Sequence, residues 1–148
     1  MKYVRTLIVV VIGVCIIGYI SYLAFSGPIY KTVWMGSKQF SVEVAHTDEL
    51  RTFGLGGRTG LPANGGMLFI FDVPGDYGFW MKDMRIPIDM IWIDDVHHVT
   101  HTESNVLPST YPTIFHSPKS SRYVLEVNAG EVGRLGVKVG DFITFSEI

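Results

Sequence analysis

Apolar and polar residues alternate along much of this chain, which is the pattern of β-strands that bury one face. Residues 30–45 show this alternation, and Gly36-Ser37 in their middle predicts a tight turn between the two strands of a hairpin. The run Met67–Phe71 is apolar at every position, which is typical of a strand covered on both faces. The turn-forming residues Asp72–Asp76 follow it.

Helical signals are few, and strand signals recur to the end of the chain. Thr47 can cap a short helix that ends at Gly54, and residues 130–136 can form a helical turn. The sequence therefore predicts a mainly β fold, either a β-sandwich or a partly closed β-barrel, with one or two short helices. The remaining predicted strands cover residues 79–84, 86–94, 96–106, 123–127 and the C-terminus.

The N-terminus departs from this pattern. Residues 7–25 carry no charge, and as a helix they would be about 28 Å long, close to the thickness of the bilayer hydrocarbon core. Lys2 and Arg5 precede the run, so the positive-inside rule places the N-terminus in the cytoplasm. We therefore expect residues 1–28 to be a single-pass transmembrane anchor in the cell membrane and residues 29–148 to be an extracytoplasmic domain. The alternative is a cleaved signal peptide and a secreted domain.

Charge and cysteine content exclude two classes of function. Two of the twelve basic side chains precede the apolar run, so residues 29–148 have ten basic and fourteen acidic side chains and a net charge of −4. Such a domain lacks the basic surface of a nucleic-acid-binding protein, and no nucleic-acid partner is expected. The single cysteine, Cys15, lies in the apolar run, so the domain has neither a thiol nucleophile nor a disulfide.

The densest apolar stretch, residues 65–94, also contains charged residues, which are rarely buried without a partner or a purpose. Alternation over residues 86–94 places Asp89 on an apolar strand face. Lys82 and Asp89 are symmetric about Arg85-Ile86, and a hairpin centred there would set them opposite each other. Such a pair would be either a structural ion pair or part of a binding or catalytic site.

Three further residues complete the candidate site. Arg58 is the only charge in the glycine-rich loop 54–66 and is a candidate anion clamp. Glu126 is a second acid in an apolar strand, and Trp80 shares a face with Lys82 and is a candidate for the wall of a cleft. The candidate ligand-binding residues are therefore Arg58, Trp80, Lys82, Asp89 and Glu126. Trp80 with Tyr77, Phe79 and Trp92 could also form an aromatic platform, although Phe79 and Trp92 suit the core better.

The histidines and methionines do not predict a metal site or a cofactor. His97 and His98 point to opposite faces of a strand, and His97 and His101 lie about 13 Å apart on one face. The methionines Met67, Met81, Met84 and Met90 would suit copper(I), but their aromatic and aliphatic neighbours favour core packing.

Five ordered segments resemble one known family. These segments are VEVAHTDELRTFGLGGR, GGMLFIF, FWMKDMRIPIDMIWID, YVLEVNAG and GVKVGD, and they span about Phe40 to Ile148. The chain resembles the family called domain of unknown function 192 (DUF192). The resemblance implies a compact β-rich domain, often exported or membrane-attached, with no assigned activity.

Three functions are consistent with these observations. The first is a membrane-anchored module that binds a small molecule, a glycan or an envelope protein in a cleft near Arg58, Trp80, Lys82 and Asp89. The second is a hydrolase-like enzyme that uses Asp89 or Glu126 as base and Lys82 or Arg58 to stabilise an oxyanion. The third is an envelope structural or assembly factor in which the charged pairs serve only stability.

Overall fold

The computed structural model describes residue 8, residues 11–16 and residues 27–146. Residues 11–16 are helical, but most of the predicted anchor, residues 7–25, lies outside the described residues. Within the described part of the chain, no helix has the length and apolar character needed to cross a bilayer.

The described domain is mainly β with few short helices, as predicted. Seven strands form one curled, half-barrel sheet in the order β6-β5-β8-β3-β2-β1-β9, and β4 pairs with β7 separately. The architecture is therefore one large curled sheet and one small ribbon. The strands are β1 (Tyr30–Met35), β2 (Lys38–Ala45), β3 (Gly65–Gly75), β4 (Phe79–Trp80), β5 (Ile88–Ile93), β6 (Val99–Val106), β7 (Ile114–Phe115), β8 (Ser121–Asn128) and β9 (Thr144–Phe145).

Three short helices connect the strands. The α1 helix (Asp48–Phe53) begins where the Thr47 hydroxyl accepts a hydrogen bond from the Leu50 N–H and ends at Gly54, as the sequence predicts. The α2 helix (Glu131–Leu135) lies between Gly130 and Gly136, both in the left-handed conformation. A 3-10 turn covers Pro108–Thr110.

Strand pairing confirms the predicted hairpin and corrects two other predictions. Met35 pairs with Lys38 across the turn at Gly36-Ser37. The residues predicted as the turn Asp72–Asp76 instead continue β3 as far as Gly75. The strands predicted over 79–84 and 86–94 shorten to β4 and β5 because residues 81–87 form turns.

The central strands separate two apolar clusters, one on each sheet face. Ile91, Ile93 and Leu125 belong to the first cluster, which also contains Val132 of α2. Ile88, Met90 and Trp92 belong to the second, as the alternation over residues 86–94 predicts. The second face lies beneath α1, the residues after it and the β4–β7 ribbon, and it carries the candidate site.

Candidate functional site

A cleft of about 1210 Å³ opens over the second sheet face. One wall is α1 with the turn at residues 54–57, and the opposite wall is the segment 76–84. Ile114 and His116 close one side. The floor is formed by side chains of β3 and β8, namely Phe69, Phe71 and Glu126.

Six aromatic side chains line the cleft, namely Phe53, Phe69, Phe71, Tyr77, Phe79 and Trp80. Phe69 meets Phe79 edge to face at a centroid distance of 4.8 Å, and Phe71 stacks on Tyr77 at 3.5 Å. Such contacts hold the rings in fixed orientations. At the mouth, Phe53 is 71% exposed and Trp80 is 47% exposed. Large apolar side chains at the mouth of a cleft are available to a ligand.

Glu126 is the ionisable group on the floor. It is only 4% exposed, and within the part of the chain that the structure describes its carboxyl group takes part in no hydrogen bond or ion pair. Its cross-strand neighbours are Met67 on β3 and Met90 on β5. Burial in these apolar surroundings raises the pKa of the Glu126 carboxyl to about 8. The group is therefore protonated at neutral pH and can donate one hydrogen bond into the cleft.

The charges around the mouth differ in how they are held. The Arg51 guanidinium donates to Asp48 at 2.7 Å and to the carbonyl of Ile70 at 2.7 Å, so it is fixed within the protein. Lys82 is exposed, and its Nζ lies 5.9 Å from the centroid of the Trp80 ring, within cation–π range. In the described domain, Lys82 forms no ion pair with a carboxylate.

Three of the five candidate residues share this cleft. Trp80, Lys82 and Glu126 line it, whereas Arg58 and Asp89 do not. Arg58 makes a bidentate ion pair with Glu43 on β2. This pair lowers the pKa of the Glu43 carboxyl, chiefly through the hydrogen bond from Arg58. Arg58 is thus engaged by a carboxylate of the protein itself.

The predicted pairing of Lys82 with Asp89 is wrong. Asp89 is fully buried on the first face of the sheet. It accepts hydrogen bonds from the backbone N–H groups of Asn105, Gly130 and Val132 at 2.7, 3.0 and 2.7 Å. Lys82 lies on the cleft side, because residues 81–87 form turns and not the hairpin that would bring the two together. Asp89 therefore fixes the start of α2.

The sequence did not identify the contributions of α1 and of His116. Leu50 and Phe53 of α1 are both exposed, and Phe53 lines the cleft. The His116 Nδ1 atom lies 2.8 Å from an Asp76 carboxylate oxygen, although forty residues separate the two. No local signal links them. Of the predicted aromatic platform, Tyr77, Phe79 and Trp80 line the cleft, and Trp92 is in the core.

The structure also locates the residues considered as metal ligands. Across residues 8, 11–16 and 27–146, no three His, Cys, Asp or Glu side chains are grouped so that they could hold a metal ion. His101 contacts Glu103 at 2.9 Å. Met67, Met81 and Met90 are buried in the second apolar cluster, and Met84 packs against it.

Two solved structures are similar to this chain in both sequence and fold. A crystal structure from Sinorhizobium meliloti 1021, of a protein provisionally called a transcription regulator, matches with 31% identity and a TM-score of 0.73. The match covers 78% of this chain and 92% of that one. A protein of unknown function from Novosphingobium aromaticivorans DSM 12444 matches with 31% identity and a TM-score of 0.71, over 81% and 88% of the two chains. No curated protein matches the chain.

The family comparison agrees with the resemblance of the five sequence segments. The model of DUF192, described as an uncharacterized ACR, matches residues 31–145, which is most of the chain and nearly all of the described domain. The chain therefore belongs to the DUF192 family.

Proposed function

We propose that this domain is a ligand-binding module whose site is the cleft over the second sheet face. The observation that carries the proposal is the Glu126 carboxyl group, which is 4% exposed, faces the cleft and has no partner among the described residues. Among the described residues, no fully buried side-chain nitrogen or oxygen lacks a hydrogen-bond partner, so the unpaired Glu126 oxygens are open to the cleft. A largely buried carboxyl group without a protein partner costs stability, so we expect a protein that retains one to use it.

The shape and chemistry of the cleft support binding of a small molecule. Its volume of about 1210 Å³ exceeds the roughly 300–1,000 Å³ of typical small-molecule sites, so the cleft has room for a drug-sized ligand. The aromatic rings of the walls supply apolar contact area at little cost in side-chain entropy. One polar group on an otherwise apolar floor is the usual way such sites fix a ligand's orientation.

A screen with a matched pair of variants tests this proposal. The full chain is screened by thermal shift against small apolar and amphipathic compounds, because a ligand that binds the native state raises the melting temperature. Trp80→Ala removes a ring of the cleft, and Trp34→Ala removes a half-exposed ring of β1 outside it. We expect the screen to find compounds that raise the melting temperature of the unaltered chain and of Trp34→Ala but not that of Trp80→Ala. Equal shifts in both variants contradict the proposal.

A second candidate, an acid/base enzyme, is favoured by two groups in the same cleft. The pKa of about 8 gives Glu126 a proton that it can transfer near neutral pH. Asp76 orients the His116 ring in the manner of a carboxylate–histidine pair. Turnover that is lost in both Glu126→Gln and His116→Asn, with binding retained, would favour this function over simple binding.

The cellular location is part of the same proposal. We infer that residues 7–25 attach the domain to the membrane on its extracytoplasmic side, as the uncharged run and the preceding Lys2 and Arg5 suggest. Retention of the full chain in membranes after alkaline carbonate extraction supports an anchor, and its release overturns it. The net charge of −4 over residues 29–148 argues against nucleic acid as a partner, despite the name of the Sinorhizobium protein.

A further inference from the structure

Acidic groups outnumber basic ones around the cleft. Five carboxyl groups line it, compared with the two cations Arg51 and Lys82. Arg51 and Asp48 are already paired with each other, and Arg51 also donates to backbone carbonyls, so of the charged lining four carboxyl groups and Lys82 remain for a ligand. The five carboxyl groups that line the cleft are those of Asp48, Glu49, Asp76, Asp83 and Glu126.

The aromatic walls, like the excess of acidic groups, favour a positively charged ligand. The faces of aromatic rings attract cations, and Trp80 already holds the Lys82 ammonium group 5.9 Å from its ring centroid. Rings together with excess carboxylate are the groups that recognise organic ammonium ions. A phosphate or carboxylate ligand would instead meet one lysine and several acids.

From this combination we propose that the cleft binds an organic ammonium ion, with the cationic nitrogen near Glu126 and the aromatic walls around its alkyl groups. This inference rests on the proposed function, since it names the class of ligand for the same cleft. Alkylated ammonium ions suit such a floor because they are larger and more weakly hydrated than a primary ammonium, so desolvation costs them less.

Binding is linked to a proton. In the free protein Glu126 is neutral below its pKa of about 8, and a bound cation favours the carboxylate. When the cation binds, the Glu126 carboxyl group releases its proton to solvent. The positive charge of the ligand then replaces that of the proton, and the net charge of the site does not change. Affinity therefore rises by up to tenfold per pH unit as pH approaches 8 and is constant above it.

The Glu126→Gln variant separates this linkage from the titration of the groups around Glu126. Its neighbours on β3 and β5, Met67 and Met90, do not titrate. Burial alone raises the pKa of Glu126. One strand further out on the same face, Glu43 pairs with Met67 and Glu103 pairs with Met90, and the remaining charged and titratable groups belong to the surrounding walls. Those groups are Asp48, Glu49 and Arg51 on α1, Lys82 and Asp83 after β4, and Asp76, Tyr77 and His116 beside the ribbon.

The test uses choline and its uncharged isostere 3,3-dimethyl-1-butanol with the full chain. Neither probe titrates between pH 6.5 and 9.5, so any pH dependence of binding comes from the protein. Calorimetry in two buffers of different ionisation enthalpy gives the affinity and the number of protons released. We expect choline to bind at least tenfold more tightly than the alcohol at pH 9, with about one proton released at pH 7 and none at pH 9.5.

Two variants shift the result in opposite directions. Glu126→Gln should weaken choline binding at pH 9 by about tenfold or more and remove its pH dependence, whereas Lys82→Met removes a competing cation and should strengthen it several-fold. A loss of folding could not strengthen binding. Circular dichroism confirms that both variants are folded.

The outcomes separate this inference from the proposed function. If the alcohol or other apolar probes bind through Trp80 and choline does not, the ammonium inference fails and the binding module stands. Choline binding that does not change with pH, or that Glu126→Gln leaves intact, also overturns the inference. If no probe of either kind binds the folded chain, both fail.

Discussion

Glu126 lies opposite Met90 in the antiparallel pairing of β8 with β5, on the sheet face that carries the second apolar cluster. Met67 flanks it on the other side, on β3. The strand register therefore sets this carboxyl group between two methionine side chains. Its only free direction is the cleft, and the proposed function depends on this placement.

The first prediction concerns stability and pH. The folded pKa of Glu126 is raised to about 8 from an ordinary 4.5, so between these values the folded state holds a proton that the unfolded state has lost. This contribution to stability is complete below pH 4.5 and is lost as pH rises to 8, by at most about 1.4 kcal/mol per pH unit. The Glu126→Gln variant should not show this loss of stability as pH rises. Urea denaturation from pH 5 to 9 measures the free energy of unfolding of both proteins. If this free energy changes with pH in the same way for the two proteins, the prediction is contradicted.

The second prediction concerns Asp89. Asp89→Ala leaves three backbone N–H groups, one buried and two partly buried, without an acceptor, so it should lower the free energy of unfolding by about 3–5 kcal/mol. Asp95→Ala, an exposed aspartate just after the same strand, is the control and should change it by less than about 0.5 kcal/mol. Chemical denaturation checks both. Similar losses in the two variants would show that Asp89 has no special role at the start of α2.

The third prediction concerns the close approach of β3 to β8. A Cβ atom added at Gly66 would lie 2.4 Å from the backbone oxygen of Glu126, which cannot move without breaking the strand pairing. Gly66→Ala should therefore destabilise the domain by about 1–3 kcal/mol or more. At Gly60, a Cβ atom would meet nothing within 4 Å, so Gly60→Ala is the matched control. A Gly66→Ala variant as stable as Gly60→Ala would contradict the β3–β8 register.

The fourth prediction concerns the Arg58–Glu43 pair. A double-mutant cycle with Arg58→Met and Glu43→Gln should give a coupling energy of about 1 kcal/mol at pH 7, as expected for a partly exposed bidentate pair. Because Arg58 lowers the pKa of Glu43, this coupling is present above an ordinary pKa of 4.5 and is lost as Glu43 is protonated at lower pH. Neither variant should change ligand binding. A large binding defect in Arg58→Met would show that Arg58 takes part in ligand binding.

The sequence predicted strand faces better than it predicted contacts between segments. Alternation over residues 86–94 placed Met90 and Trp92 on one face and Asp89 on the other, because side-chain direction along a strand is a local property. It identified Glu126 as an acid in an apolar strand for the same reason. It failed for Lys82 and Asp89, because the turns at residues 81–87 put the two on different sides of the sheet.

The site also depends on elements far apart in the sequence. Phe53 of α1 reaches the cleft because α1 connects the parallel strands β2 and β3, and the sequence does not reveal that these strands pair. The contact of His116 with Asp76 is close to the β4–β7 pairing, which joins Phe79 to Phe115 and Trp80 to Ile114. Neither pairing has a signature in residue type or spacing. For the same reason the sequence left a β-sandwich and a partly closed β-barrel open, and the structure has one curled, half-barrel sheet.

The most direct measurement of the central claim is the titration of Glu126 itself. Carbon-13 NMR of the full chain, labelled at the glutamate side-chain carboxyl carbons, follows each glutamate from pH 4 to 10, and Glu126→Gln assigns its signal. We expect the Glu126 carboxyl signal to titrate near pH 8 in the free protein and at lower pH when choline is bound. A Glu126 signal that titrates near the ordinary 4.5 would contradict the account, because the carboxyl group would then be ionised and hydrated at neutral pH.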